Sequence, residues 1–262
     1  MSQTDPDDMP PAVPAATLVL FRDRADGPPE ILMVERAAKM AFAGGAVVFP
    51  GGRIDAEDHV LAQRFPDIDP DCAAARIGAI RETIEESGIP VGIVGTPSVD
   101  WLTEARAALH GGEAFASLLD AAGLALDLEA LIPFARWLPK HREARVFDTR
   151  FYVARAPVDL PLEKVDETEN VRTFWESAAG VIALAAEDKV KVIYPTMRNL
   201  ERLAQFASYD EAEAHSRAIP VRTISPFMEE RDGHRSLCIP EGHGYPVTFE
   251  RLDVAVTAFN LK

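Results

Sequence analysis

The segment from Asp69 to Gly88 constrains this chain more than any other. Asp69 before Pro70 offers an N-cap residue with proline at the first helical position, and Gly88 can leave the helix through a left-handed conformation. At about 100° of rotation per residue, Ala73, Ile77, Ile80 and Ile84 share one stripe, while Glu82, Glu85 and Glu86 gather on the opposite side. One face must pack against something apolar; the other collects like charges. Carboxylates three and four residues apart each destabilise a helix by roughly 0.2–0.5 kcal/mol, so the cluster wants a counter-charge. Glutamate-rich helix faces are usually solvated surface. The context here points elsewhere, because a short apolar strand and Phe49-Pro50-Gly51-Gly52 precede the helix, and a glycine pair lets backbone approach a ligand. A tight turn beside an acidic face suits a metal-bound phosphate. Carboxylate oxygens suit Mg²⁺ or Mn²⁺. Arg81, four residues before Glu85, is placed to orient that carboxylate, with Glu57 as another partner.

The rest of the chain is organised around this helix. Residues 1–13 are rich in Pro, Asp and Ala without periodicity and read as a disordered tail, leaving 14–262 as a single domain. Residues 16–21 and 30–35 read as antiparallel strands. Trp101, Leu102, Ala105 and Leu109 recur at helical spacing and Gly111-Gly112 breaks the run, so 98–123 reads as a helical insertion. Strand signals return at 132–138, 147–154 and 171–175. Helices are expected at about 177–185 and 196–207, and 221–259 reads as short strands joined by loops around Gly233, Gly242 and Gly244.

Bulk properties exclude some functions. A formal charge of −15, from 42 acids and 27 bases, repels a nucleic-acid backbone, so no nucleic-acid partner is expected. No apolar run is long enough to span a membrane, and the first residues lack the basic and apolar regions of a signal peptide. The expected location is the cytoplasm. Cys72 and Cys238 carry no Cys-x-x-Cys spacing and read as two reduced, buried thiols. The six histidines show no zinc spacing.

The chain resembles the Nudix hydrolases. Their box reads Gly, five residues, Glu, seven residues, then Arg-Glu-aliphatic-any-Glu-Glu-any-Gly-aliphatic. Gly51 and Glu57 match its first spacing, and Arg81, Glu82, Glu85, Glu86, Gly88 and Ile89 fill its second half, with Thr83 at the first aliphatic position. Between Glu57 and Arg81 lie 23 residues, which implies an insertion of 16 in the box, placed at about 58–73 and read as a loop through Phe65-Pro66-Asp67-Ile68. Such an insert is similar to that of the peroxisomal coenzyme A diphosphatases, as are Arg36-Ala37 and the run from Gly45 to Gly52. Ala41 stands where the stricter coenzyme A signature has arginine. The resemblance continues through Trp137-Leu138-Pro139, 145–152, Tyr194-Pro195-Thr196 with Asn199-Leu200, and Gly244-Tyr245-Pro246.

This resemblance implies an α/β fold: a Nudix α/β/α sandwich with a mixed curved sheet, a helical insertion and a C-terminal extension. It implies metal-dependent hydrolysis of a diphosphate linkage in a small nucleoside diphosphate derivative, with coenzyme A or an acyl-coenzyme A as one such substrate. Arg81, Glu82, Glu85 and Glu86 are the implied catalytic residues, the three glutamates the Mg²⁺ or Mn²⁺ ligands, and Gly51, Gly52 and Arg36 the substrate contacts. Arg145 and Arg150 are, with Arg36, candidates for gripping phosphate, although arginines in or beside strands, these three included, more often form surface ion pairs. The general base is a helix glutamate or a carboxylate of Asp166-Glu167-Thr168-Glu169, a loop that reads equally well as a solvated turn. A Nudix-fold module that senses a nucleotide without cleaving it is the alternative; the intact Arg81, Glu82, Glu85 and Glu86 set speaks against it. Family habit admits a homodimer.

Overall fold

The computed structural model describes residues 11–40, 43–139, 146–158 and 170–259. Ala41, Arg145 and the acidic loop 166–169 therefore lie outside the described residues, as does most of the expected tail.

The first half of the chain builds the sheet centre and the layer over one of its faces. Strand β1 (Val13–Arg22) turns into β2 (Glu30–Arg36), and β3 (Ala46–Val48) and β4 (Gly51–Arg53) flank the Pro50 turn. Helices α1 (Ala56–Ala62) and α2 (Pro70–Ser87) follow. The two-residue strands β5 (Ile93–Val94) and β6 (Ala125–Leu126) pair with each other and so close the base of an excursion containing α3 (Val99–His110) and α4 (Phe115–Ala122).

In the second half, β7 (Ile132–Trp137), β8 (Phe147–Arg155), β9 (Asn170–Ser177) and β10 (Lys191–Val192) join the sheet, and α5 (Ala178–Ala186), α6 (Tyr194–Leu203) and α7 (Tyr209–Ala218) cover its other face. After β11 (Thr223–Ile224), a small antiparallel sheet of β12 (Phe227–Arg231), β13 (His234–Cys238) and β14 (Phe249–Arg251) leads into α8 (Leu252–Phe259).

The large sheet runs β10-β3-β2-β1-β8-β7-β11, with β4 added to β1 and β9 to β2. It is mixed: β1 is antiparallel to β2 and parallel to β8, from Val13 opposite Phe147 to Phe21 opposite Arg155. The continuous apolar run of β1 follows from burial on both faces. Leu18 and Leu20 point into the core under α1 to α4, whereas Val19 and Phe21 point into the core under α5 to α7. Tyr152 and Ala154 against Phe151 and Val153 repeat the division on β8. The fold is thus the expected α/β/α sandwich. Among the described residues, no helix is long and apolar enough to cross a membrane. Both cysteines are free; Cys238 is buried, but Cys72 is only half-buried, with its sulfur 3.2 Å from Nη1 of Arg150.

Three local expectations are corrected. The box insertion is not a plain loop, because α1 occupies its start and buries Leu61 and Ala62 against the core that holds α2. The tail of the chain ends in α8 rather than in strands; alternating Val254 and Val256 mimic a strand, but Ala255 is fully buried in the second core and tertiary packing prevails. Helix α7 is additional to the expected elements, although Ser208 with Glu211 three residues later is a capping signature, and Ser208 Oγ does accept from Glu211 N at 3.3 Å.

Candidate active site

Helix α2 begins and ends where its sequence dictates. Asp69 accepts from Cys72 N at 3.0 Å, Pro70 opens the first turn, and Gly88 terminates the helix at φ 74° with its N–H on Ile84 O at 2.8 Å. Ala73, Ile77, Ile80 and Ile84 are fully buried, so the apolar stripe faces the core as its spacing requires. Thr83, at the box position expected to be aliphatic, is also fully buried, and its hydroxyl donates to Ala79 O at 2.7 Å, which removes the cost of burying it.

The opposite face meets β4. Gly51 N donates to Glu86 Oε2 at 3.0 Å, and a Cβ on Gly52 would overlap the Glu82 carboxylate. Gly51 itself sits at φ 155°, where a Cβ would run into Ala16 O and the Thr17 backbone. The glycine pair therefore serves two separate needs: backbone shape at Gly51 and room for a carboxylate at Gly52.

Arg81 is the hub of the charges. Its Nε and Nη2 each lie 3.0 Å from an oxygen of Asp58, Nη2 also donates to Arg53 O at 2.9 Å, and Nη1 reaches Glu82 Oε1 at 2.8 Å and Glu85 Oε2 at 3.4 Å. Burial works against its charge, but the Asp58 hydrogen bonds and the charges of Glu82, Asp58 and Asp55 outweigh that and raise its pKa further. Burial likewise pushes the Glu82 carboxyl up to about 7, against the pull of Arg81. Beside Glu86, Arg36 approaches with Nη1 at 3.8 Å, and its buried Nε has no hydrogen-bond partner among the described residues.

Asp58 corrects the expected partner. Glu57 is exposed, while Asp58 is 1% exposed and also accepts from Asp55 N at 2.9 Å, capping α1 while holding Arg81. Counted from Gly52 instead of Gly51, Asp58 stands at the box spacing of five, and 22 residues separate it from Arg81. The box is thus shifted by one position at its start, with a shorter acid in place of glutamate. Arg150 is corrected too: it approaches Cys72, at the other end of α2 from the glutamates, and does not line their cleft.

These groups open into a cleft of about 550 Å³ lined by Arg36, Arg53, Arg81 and the three glutamates. Phe49, Trp137, Phe147, Phe151, Leu109 and Ile193 also line it. Phe49 and Phe151 stand edge to face at 6.4 Å. Trp137 is fixed from behind: its Nε1 donates to Tyr245 Oη at 2.9 Å, and Tyr245 donates to Asn199 Oδ1 at 2.7 Å. The downstream resemblance motifs at 137, 199 and 245 thus meet in one buried hydrogen-bonded chain that fastens the C-terminal segment to β7. A larger hollow of about 710 Å³ lies by Pro90, Leu102, Arg155 and Tyr209, and among the described residues no carboxylate lines it. The glutamates of α2 line the smaller cleft.

The donors themselves decide whether the residues fit a metal. Among the described residues, no three His, Cys, Asp or Glu side chains are gathered closely enough to hold an ion as they stand; Arg81 draws on Glu82 and Glu85, and Arg36 stands by Glu86. The donor set still suits one. Glu82, Glu85 and Glu86 are hard oxygen donors on one cleft wall, Gly52 leaves the space in which a carboxylate sits, and acids outnumber bases around them.

No family model matches the chain. A curated acyl-coenzyme A diphosphatase of Gallus gallus, NUDT19, is 24% identical over 242 residues, covering 71% of this chain and 64% of that protein. The chain thus spans just under two thirds of that relative's length. Among solved structures, a NUDIX hydrolase from Alicyclobacillus acidocaldarius aligns with a TM-score of 0.70 and 29% identity, over 79% of this chain and 97% of that one. The sandwich fold is therefore shared with that hydrolase.

Proposed function

We propose that the chain, which is similar in fold to a Nudix hydrolase and, more distantly, in sequence to an acyl-coenzyme A diphosphatase, hydrolyses a diphosphate linkage in coenzyme A or an acyl-coenzyme A. One observation carries the reading: the acidic face of α2 meets Gly51-Gly52 in a cleft that apolar and aromatic side chains also line. A charged diphosphate and an organic group joined to it need both kinds of lining in one cleft. A metal held by Glu82, Glu85 and Glu86, Mg²⁺ or Mn²⁺, would polarise the phosphate oxygens and offset charge on the leaving group.

The remaining chemistry falls to the chain. Water adds to one phosphorus, the bond from that phosphorus to the bridging oxygen breaks, and two phosphomonoesters leave. Gly51 N–H holds Glu86 in place, Arg81 orients Glu82 and Glu85, and Arg36 supplies a cationic group toward phosphate oxygens from beside Glu86. Phe49, Trp137 and Phe151 pack the organic moiety and exclude water. The charge of −15 and the two free thiols favour a small nucleotide derivative as substrate and a reducing compartment, the cytoplasm, as the setting.

The deciding experiment offers coenzyme A, an acyl-coenzyme A, ADP-ribose, NADH and a capped oligonucleotide with Mg²⁺ and with Mn²⁺, and identifies products by mass. Two phosphorylated products from coenzyme A or its thioester are expected. Tight binding of any of these with the ligand left intact would instead mark a sensing module.

Gly52→Ala provides a finer check. The added methyl must push the Glu82 carboxylate aside, and because that carboxylate ends a flexible side chain, stability should change by about 1 kcal/mol or less while turnover falls at least roughly tenfold. Turnover equal to wild type would show that the position of Glu82 does not matter.

A further inference from the structure

The helical excursion touches the glutamate helix at its last turn. Helix α3 buries Leu102, Ala105 and Leu109, and Leu109 also lines the cleft. Between them, Arg106 sends Nε to the carbonyl oxygen of Glu85 at 3.0 Å and Nη2 to that of Glu86 at 3.4 Å. The last carbonyls of a helix have no partner within it and carry the negative end of its dipole. Gly88 N takes Ile84 O, so the next two carbonyls must be met from outside, and one forked guanidinium meets both. They belong to two of the three glutamates assigned to the metal.

Helix α3 is itself well anchored. Ser98 caps it through Trp101 N at 3.1 Å, Trp101 Nε1 donates to Leu118 O of α4 at 3.4 Å, and Arg64 after α1 grips Asp120 of α4 with bonds of 2.6 and 2.8 Å. The β5–β6 pair closes the base of the excursion. The guanidinium of Arg106 is thus delivered from a braced support.

We propose that Arg106 is a positioning residue of the metal site: by holding the carbonyls of Glu85 and Glu86 it sets the backbone from which both carboxylates project. The helical excursion is in this way part of the site. The inference rests on the glutamates of α2 being the metal ligands. A lysine at 106 would keep the charge but could not fork to two carbonyls, so it should restore only part of the effect.

The test is Mn²⁺ titration of the full chain by calorimetry, for wild type, Arg106→Gln, Arg106→Lys and Glu85→Gln, with urea midpoints measured alongside. Mn²⁺ affinity should weaken roughly 10- to 100-fold in Arg106→Gln and less in Arg106→Lys, with the KM for substrate at saturating metal unchanged. If Glu85→Gln weakens Mn²⁺ binding while both Arg106 variants bind it as wild type does, whatever their midpoints, the inference fails and the metal reading stands. A wild-type chain that binds no Mn²⁺ overturns both.

Discussion

Replacing Glu86 with glutamine is expected to lower turnover by roughly a hundredfold or more, the scale seen when one preorganised electrostatic contact to a reacting phosphate or carbonyl is lost. Glu86 is 4% exposed, and its Oε2 accepts from Gly51 N, a bond that a glutamine oxygen can keep. The substitution therefore preserves shape and removes charge. Arg36 loses the carboxylate 3.8 Å away, and a divalent ion loses a ligand. Stability should fall by no more than about 1–3 kcal/mol, the scale for one compromised buried polar contact. Steady-state kinetics at several Mg²⁺ concentrations, with a urea midpoint as control, separates the two effects. A variant that turns over like wild type removes Glu86 from the chemistry.

Arg81→Met is expected to act on the fold itself, with a loss of about 3–5 kcal/mol, the usual consequence of removing one partner from a buried ion pair. Asp58 is 1% exposed and would keep its carboxylate in the interior without the two guanidinium bonds of 3.0 Å. Glu82 and Glu85 would lose their cation at the same time. Because Asp58 also caps α1 through Asp55 N, Asp58→Asn keeps the cap and drops the charge. The double variant should then be more stable than the sum of the single losses predicts, and urea denaturation of all four proteins measures that coupling. An additive cycle would mean that the pair contributes nothing beyond its parts.

Much of the site is legible in the amino-acid sequence, because the relevant signals are local. The helix bounded by Asp69 and Gly88, its isoleucine stripe and its three glutamates follow from caps and a 3.6-residue period, and each is found where those rules place it. The two-sided burial of β1 and β8 is likewise foreshadowed by their apolar runs. Less legible is which acid holds Arg81. Glu57 and Asp58 are neighbours in sequence and differ only in which way α1 turns them: one faces solvent, the other the guanidinium.

Sequence by itself thus determined the helix that carries the three glutamates and the glycine pair beside it, since both depend on residues within a few positions of one another, while the layered architecture was implied by the family resemblance. Tertiary structure alone decided which apolar side chains share a cleft with the glutamates, the buried chain from Trp137 through Tyr245 to Asn199, and the reach of Arg106 to the end of α2. The hydrogen bonds among them join residues between 20 and 108 positions apart. Side-chain periodicity shows which face of an element is apolar, but only the packing of whole elements shows which distant group that face will meet.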